Sequence, residues 1–211
     1  MNKKKNEIES VVVQMPEQLA NMQLPAPELI NFYSDLENRT FWIDDEVDIN
    51  LMELVKYIVH WNREDKDVPK PDRKPIKILF FSPGGDLNSY RAVADVIKLS
   101  VTPVIGIVIG TAYSAAGMIY LACHKRYMLK SSSILFHYGS ASLSGNFNEV
   151  YAAMMDYQDQ VKELADIICE SSNYTAEEIE ERMSTDWYVR PQEAIEHGIC
   201  DEIIEDISKL L

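Results

Sequence analysis

Cysteine, positive charge and long apolar runs are all scarce in this chain, and each shortage excludes something. The three cysteines, Cys123, Cys169 and Cys200, are scattered through mostly apolar surroundings. They show no metal-ligand spacing and no disulfide framework, a usage that fits a reducing, cytoplasmic compartment. Lys and Arg number 20 against 34 Asp and Glu, and the net charge of −14 disfavours nucleic acid or an anionic membrane as partner. No apolar stretch approaches membrane-spanning length, and Val11 to Val13, behind Lys3 to Lys5, is too short for a signal-peptide core. A phosphate-binding Gly-x-x-x-x-Gly-Lys-Ser/Thr pattern is also missing, so no nucleotide or other cofactor is expected in this chain.

What remains is ample material for a core. With 211 residues, 46% of them hydrophobic, the chain can bury one full domain. Residues 1–28, polar and broken by Pro16, Pro25 and Pro27, read as a loosely ordered arm ahead of a domain over 29–211. Short β-branched runs at Ile76 to Phe81, Val101 to Gly110 and Ser133 to Phe136 predict buried strands. Helices are predicted from Asn50 to Asn62, opened by a capping box of Asn50 and Glu53, from about Asn88, and over the almost wholly apolar Ala115 to Cys123. A longer one spans about 148–172, with Val150, Met154, Tyr157, Val161, Leu164, Ala165 and Ile168 at helical spacing. Strands alternating with helices indicate α/β architecture around a parallel sheet. The connection from Arg63 to Lys74 reads as an exposed loop.

Four local contexts carry chemistry. Ser114 falls between a buried strand and a buried helix, where unpaired N–H groups and the helix dipole can stabilise an oxyanion; an N-cap is the commoner role for such a serine. Ser82 to Gly85 ends the preceding strand. Its Gly84 and Gly85 can turn the backbone sharply, and the N–H groups of Gly85 and Ala115 could form a two-donor hole, although Pro-Gly-Gly alone is only a turn. His137 closes the third strand, and an imidazole of ordinary pKa, about 6.5, suits a general base. His60, His124 and His197 are weaker candidates. Asp186, ahead of Trp187 and Tyr188, could be buried enough to orient that imidazole, or could be a turn aspartate.

Taken together, Ser82 to Gly85, Gly110 to Ser114, Lys125-Arg126-Tyr127, His137, Asp186 and the run from Glu193 through Gly198 to Asp201 resemble, in order and spacing, the proteolytic subunit family of the Clp protease. The resemblance covers about Ser34 to Ile204. It implies a ClpP/crotonase-like fold of repeated β-β-α units with a long handle helix over 148–172. It also implies a serine endopeptidase with nucleophile Ser114, base His137, orienting acid Asp186 and oxyanion donors Gly85 and Ala115. The chain order Ser, His, Asp separates it from α/β-hydrolases. Further implications are a homo-oligomer, a heptameric ring stacked into a tetradecamer, acting on peptides and unfolded proteins, with ATP used only by an AAA+ unfoldase partner. Where the family commonly has other residues, this chain has Ala115-Ala116-Gly117 at the nucleophile, Tyr138-Gly139 after the histidine, and Lys77 and Leu79 on the strand that receives unfoldase loops. Competing readings are a non-catalytic subunit of such a ring, a crotonase-type acyl-CoA enzyme, and a membrane-associated Ser-Lys peptidase. The last lacks its transmembrane segment here.

Overall fold

In the computed structural model residues 26–206 and Ser208 are described. The chain falls into two compact units, Met1–Ser34 and Asp35–Leu211. Most of the arm expected at 1–28 lies outside the described residues, and the first described helix is α1 (Pro27–Glu37).

In the second unit, five strands form one parallel sheet in the order β1 (Thr40–Ile43), β2 (Ile76–Ser82), β3 (Val104–Tyr113), β4 (Lys125–Leu129), β7 (Glu202–Ile204). Strand β3 is long enough to serve two neighbours on one side. Its first half, Ile105 to Val108, pairs with β4, and its end, Thr111 to Tyr113, pairs in parallel with β5 (Ser133–Phe136). A short strand, β6 (Trp187–Val189), then adds antiparallel to β5. This is the α/β architecture around a parallel sheet that the sequence predicts. The strand expected at Val101 to Gly110 is set three residues too early, because Thr111, Ala112 and Tyr113 lack the β-branched apolar signature yet extend β3 to the residue before Ser114.

Helices α2 (Met52–Glu64), α3 (Leu87–Leu99), α4 (Ala115–Ala122) and α5 (Phe147–Glu170) pack in succession, each on the next. Between them and the strands lie Ile76, Ile78, Phe80, Val93, Ile97, Val108 and Ile119, all fully buried, each stabilising the fold by about 1.5–3 kcal/mol. Helix α4 is buried along its whole length, which fixes the residue at its start. Helix α3 is capped by Asp86, which accepts hydrogen bonds of 2.7 Å from the backbone N–H and the hydroxyl of Ser89. Those bonds hold its carboxyl below the ordinary carboxylate range.

Two local expectations need correction. The capping box at Asn50 and Glu53 does not form: Asp48 instead caps a short 3-10 turn, Ile49–Leu51, by accepting from the Asn50 N–H at 2.8 Å. The helix that follows has Leu51 as its cap, without a side-chain bond. The connection from Arg63 to Lys74 is not wholly exposed either. Its Asp65 is only 4% exposed and anchors the segment on Arg39 and Thr102.

The long helix α5 matches its expected span closely and carries a true capping box, Asn146 with Glu149. Only Leu164 and Ile168 of its apolar stripe are buried. Toward its N-terminus Phe147, Tyr151, Met154 and Met155 are exposed.

Candidate active site

Sheet register assembles the site. The parallel pairing of β3 with β5 sets Tyr113 beside Leu135, and the Ser114 N–H continues it by donating to the Leu135 carbonyl at 2.8 Å. The antiparallel pairing of β5 with β6 sets Phe136 opposite Trp187. Carried one residue further, that register faces His137 with Asp186. Three residues far apart in the chain thus meet at one end of a three-strand patch, held by backbone bonds.

Ser114 adopts φ 53°, ψ −123°, a left-handed conformation rare outside glycine. Such a residue is strained by about 1–3 kcal/mol, tolerated here because the end of β3 and the buried start of α4 fix both its flanks. Its hydroxyl makes no N-cap bond. Instead Ser114 Oγ lies 2.8 Å from His137 Nε2, within the reach required for proton transfer. The cap reading of this serine therefore fails, and the sharp turn presents the hydroxyl to the imidazole.

The second limb is looser. His137 Nδ1 stands 3.5 Å from Asp186 Oδ1, and the Asp186 side chain is 60% exposed against 29% for His137. The burial expected for this aspartate is taken by the next residue, Trp187, whose ring packs on Phe136 at 5.5 Å. The other histidines are occupied elsewhere. His60 pairs with Glu64 at 3.2 Å, His124 Nδ1 accepts from the Val104 N–H at 3.0 Å, and His197 stacks on Tyr174 at 3.8 Å.

The glycine pair lies against this turn. A Cβ on Gly84 would come within 2.4 Å of the Tyr113 carbonyl and 2.8 Å of Ser114 Cβ, so only glycine fits at its φ of +94°. The Ser82 hydroxyl holds the loop, accepting from the Gly84 N–H at 3.1 Å and donating to the Asp45 carbonyl at 2.5 Å. Val47 flanks it: its N–H donates to the Gly84 carbonyl at 2.8 Å, and its carbonyl accepts from the Asp86 N–H at 2.7 Å. This bridging leaves the N–H of Gly85 without a protein partner among the described residues, as is the N–H of Ala115 at the head of α4. A hydroxyl that an imidazole can deprotonate, at a turn whose neighbouring segments carry such unpartnered backbone N–H groups, is an arrangement suited to acyl transfer.

Beside Ser114 a narrow apolar cavity is lined by Leu87, Met118, Phe136, Leu164, Ile168 and Met183. The sequence reading does not mark these as site residues. Leu164 and Ile168 carry a signal in the helical stripe of α5, whereas Leu87, Met118 and Met183 reach the cavity only through the packing of three different helices.

Residues 27–207 match the family described as Clp protease. The ATP-dependent Clp protease proteolytic subunit 1 of Rhodopirellula baltica is 27% identical over 175 residues, 80% of this chain and 73% of that protein. The ATP-dependent Clp protease proteolytic subunit 2 of Cutibacterium acnes is 29% identical over 182 residues, 85% of this chain and 83% of the relative. Among solved structures, a ClpP1 variant from Listeria monocytogenes superposes with a TM-score of 0.72 at 24% identity, covering 86% of this chain and 99% of that one.

Proposed function

The chain belongs to the Clp protease family, and we propose on that premise that it is a serine endopeptidase acting as the proteolytic subunit of a self-compartmentalised ring. The observation that carries the reading is the 2.8 Å contact between Ser114 Oγ and His137 Nε2 at a strained strand-to-helix turn.

The chemistry follows from the geometry. His137 Nε2 takes the hydroxyl proton as Ser114 Oγ attacks a peptide carbonyl carbon, and the carbonyl π electrons move to oxygen. The N–H groups of Gly85 and Ala115 stabilise that oxyanion. Its collapse breaks the C–N bond, and the imidazolium returns the proton to the leaving amine, giving an acyl-enzyme on Ser114. Water, deprotonated by His137, then attacks the acyl carbon; the carbon–Oγ bond breaks, the imidazolium returns the proton to Ser114 Oγ, and the acid is released. Asp186 orients the imidazole throughout. No step calls for a metal or cofactor in this chain; the relatives are named ATP-dependent, and in this proposal ATP enters only through a partner AAA+ unfoldase.

Assembly into a heptameric ring stacked as a tetradecamer is supported by the exposed Phe147, Tyr151, Met154 and Met155 on α5, an apolar stretch suited to burial against another copy. Enclosure would restrict substrates to peptides and unfolded chains. Cytoplasmic residence is part of the same proposal, and among the described residues no helix is long and apolar enough to cross a membrane. A non-catalytic subunit would have no need of the strained serine, and an acyl-CoA enzyme of crotonase type would have no use for its contact with His137. The test is hydrolysis of a fluorogenic peptide by the purified oligomer. Turnover that disappears in Ser114→Ala and His137→Ala supports the proposal; turnover that survives in Ser114→Ala overturns it.

A further inference from the structure

Asp186 is the least anchored of the three residues: its side chain is exposed and, among the described residues, makes no contact of this kind beyond the 3.5 Å approach to His137. Its neighbours, by contrast, are tied down by one carboxylate oxygen. Glu193 Oε1, on helix α7 (Pro191–Glu196), accepts from the Tyr174 hydroxyl at 2.8 Å, from Arg182 Nη1 at 3.1 Å and from the Trp187 indole N–H at 3.3 Å. The three donors come from separate segments: the turn after α5, the end of helix α6 (Ala176–Met183), and the first residue of β6.

The rings close the same cluster. The Arg182 guanidinium lies 4.7 Å from the Tyr174 ring centroid and 5.2 Å from that of Trp187, in cation–π geometry. Tyr174 meets Trp187 edge-on at 5.0 Å, and Trp187 packs on Phe136, the residue before His137. Tyr174 and Trp187 are 3% and 6% exposed, so an unpaired hydroxyl or indole N–H there would be costly. Burial and the neighbouring carboxylate together push the Tyr174 hydroxyl well above its ordinary pKa, which keeps it a donor.

Asp186 occupies the short connection between Met183 at the end of α6 and Trp187 at the start of β6. Both ends of that connection are pinned by Glu193, one through Arg182 and one through Trp187. We propose that Glu193, acting with Arg182, is a positioning residue for the proteolytic reaction: the clamp holds the 183–187 connection so that the Asp186 carboxylate faces His137 Nδ1. This rests on the triad reading above. It extends that reading to a residue that touches neither substrate nor the reacting atoms and lies seven positions downstream of the acid.

The test is a double-mutant cycle on peptide hydrolysis by the assembled protein, with Glu193→Ala and Asp186→Ala singly and together. Glu193→Ala is expected to lower kcat about tenfold while KM stays within about twofold, because the group the clamp is proposed to aim is the acid. In the Asp186→Ala background the same substitution should change kcat by less than about twofold, since nothing is left to position. Glu193→Gln, which keeps an acceptor oxygen, should recover part of the loss, and Arg182→Ala should reproduce it. These two replace Glu193→Ala if that variant does not fold. Equal fold-losses with and without Asp186, or a loss confined to KM, overturns the clamp while leaving the triad intact. An unchanged kcat in Asp186→Ala alone overturns the triad reading and the clamp with it.

Discussion

Two aspartates of this protein face a basic partner, and they could hardly be held more differently. Asp65 is 4% exposed and receives two hydrogen bonds from Arg39, at 2.7 and 3.0 Å, and one from the Thr102 hydroxyl at 2.7 Å. Asp186 is 60% exposed and approaches His137 at 3.5 Å. The first is a buried, multiply hydrogen-bonded ion pair that joins the segment before β1, the turn after α2 and the approach to β3. The second is mostly exposed, and its one approach among the described residues is to the imidazole at 3.5 Å, set by the register of β5 and β6. Burial and several bonds mark the pair that serves stability, and a loose, register-set approach marks the pair proposed for catalysis.

That contrast can be broken in several ways, the largest effect first. Ser114→Ala should reduce peptide hydrolysis at least about a thousandfold, with the thermal midpoint nearly unmoved, because the hydroxyl contributes to the reaction and not to packing. Asp186→Asn should lower kcat by about a hundred- to ten-thousandfold, while its unfolding free energy from urea titration changes by no more than about 0.5 kcal/mol. Asp65→Ala should invert that outcome. Removing the buried partner of Arg39, which keeps its half-exposed pair with Glu64 at 3.0 Å, is expected to cost about 3 kcal/mol in denaturant unfolding, with kcat per folded active site within about twofold of wild type. A kcat collapse in Asp65→Ala at a temperature where the protein is folded would erase the distinction.

A pH titration of stability sharpens it further. The bond from Arg39 holds the Asp65 carboxyl below its ordinary value. A depressed folded-state pKa stabilises the protein above the unfolded value, about 3.9, and that contribution is lost as pH falls through the folded one. The thermal midpoint should therefore drop below about pH 4, and Asp65→Asn should flatten the drop. At the small end, Lys56→Ala removes an exposed pair with Glu53 on α2, both side chains more than half exposed, and should move stability by no more than about 0.5 kcal/mol.

Much of this was readable from residue types, and the unread part has a common cause. Strands β2 and β5 announce themselves as β-branched and aromatic runs, and α4 as an unbroken apolar stretch. The serine, histidine and aspartate stand out because each ends or begins such an element. Their meeting does not follow from local pattern. It depends on β3 pairing with β5 past the point where it leaves β4, and on a three-residue strand, Trp187–Val189, too short to be seen as a strand. The exposure of Asp186 was hidden because the aromatic residue beside it, Trp187, suggested a buried neighbourhood and then took that burial for itself. Likewise Asp65 sits in a Lys, Asp and Pro-rich stretch that reads as solvent-facing, and only its long-range partner Arg39 reveals otherwise.

The central claim is that Ser114 is a nucleophile activated by His137. Intact-mass analysis after incubation with a fluorophosphonate probe tests it most directly. The account predicts one phosphonyl adduct per chain, mapped by peptide sequencing to Ser114 and absent from both Ser114→Ala and His137→Ala. An adduct on another residue, or labelling of Ser114 undiminished in His137→Ala, would contradict it.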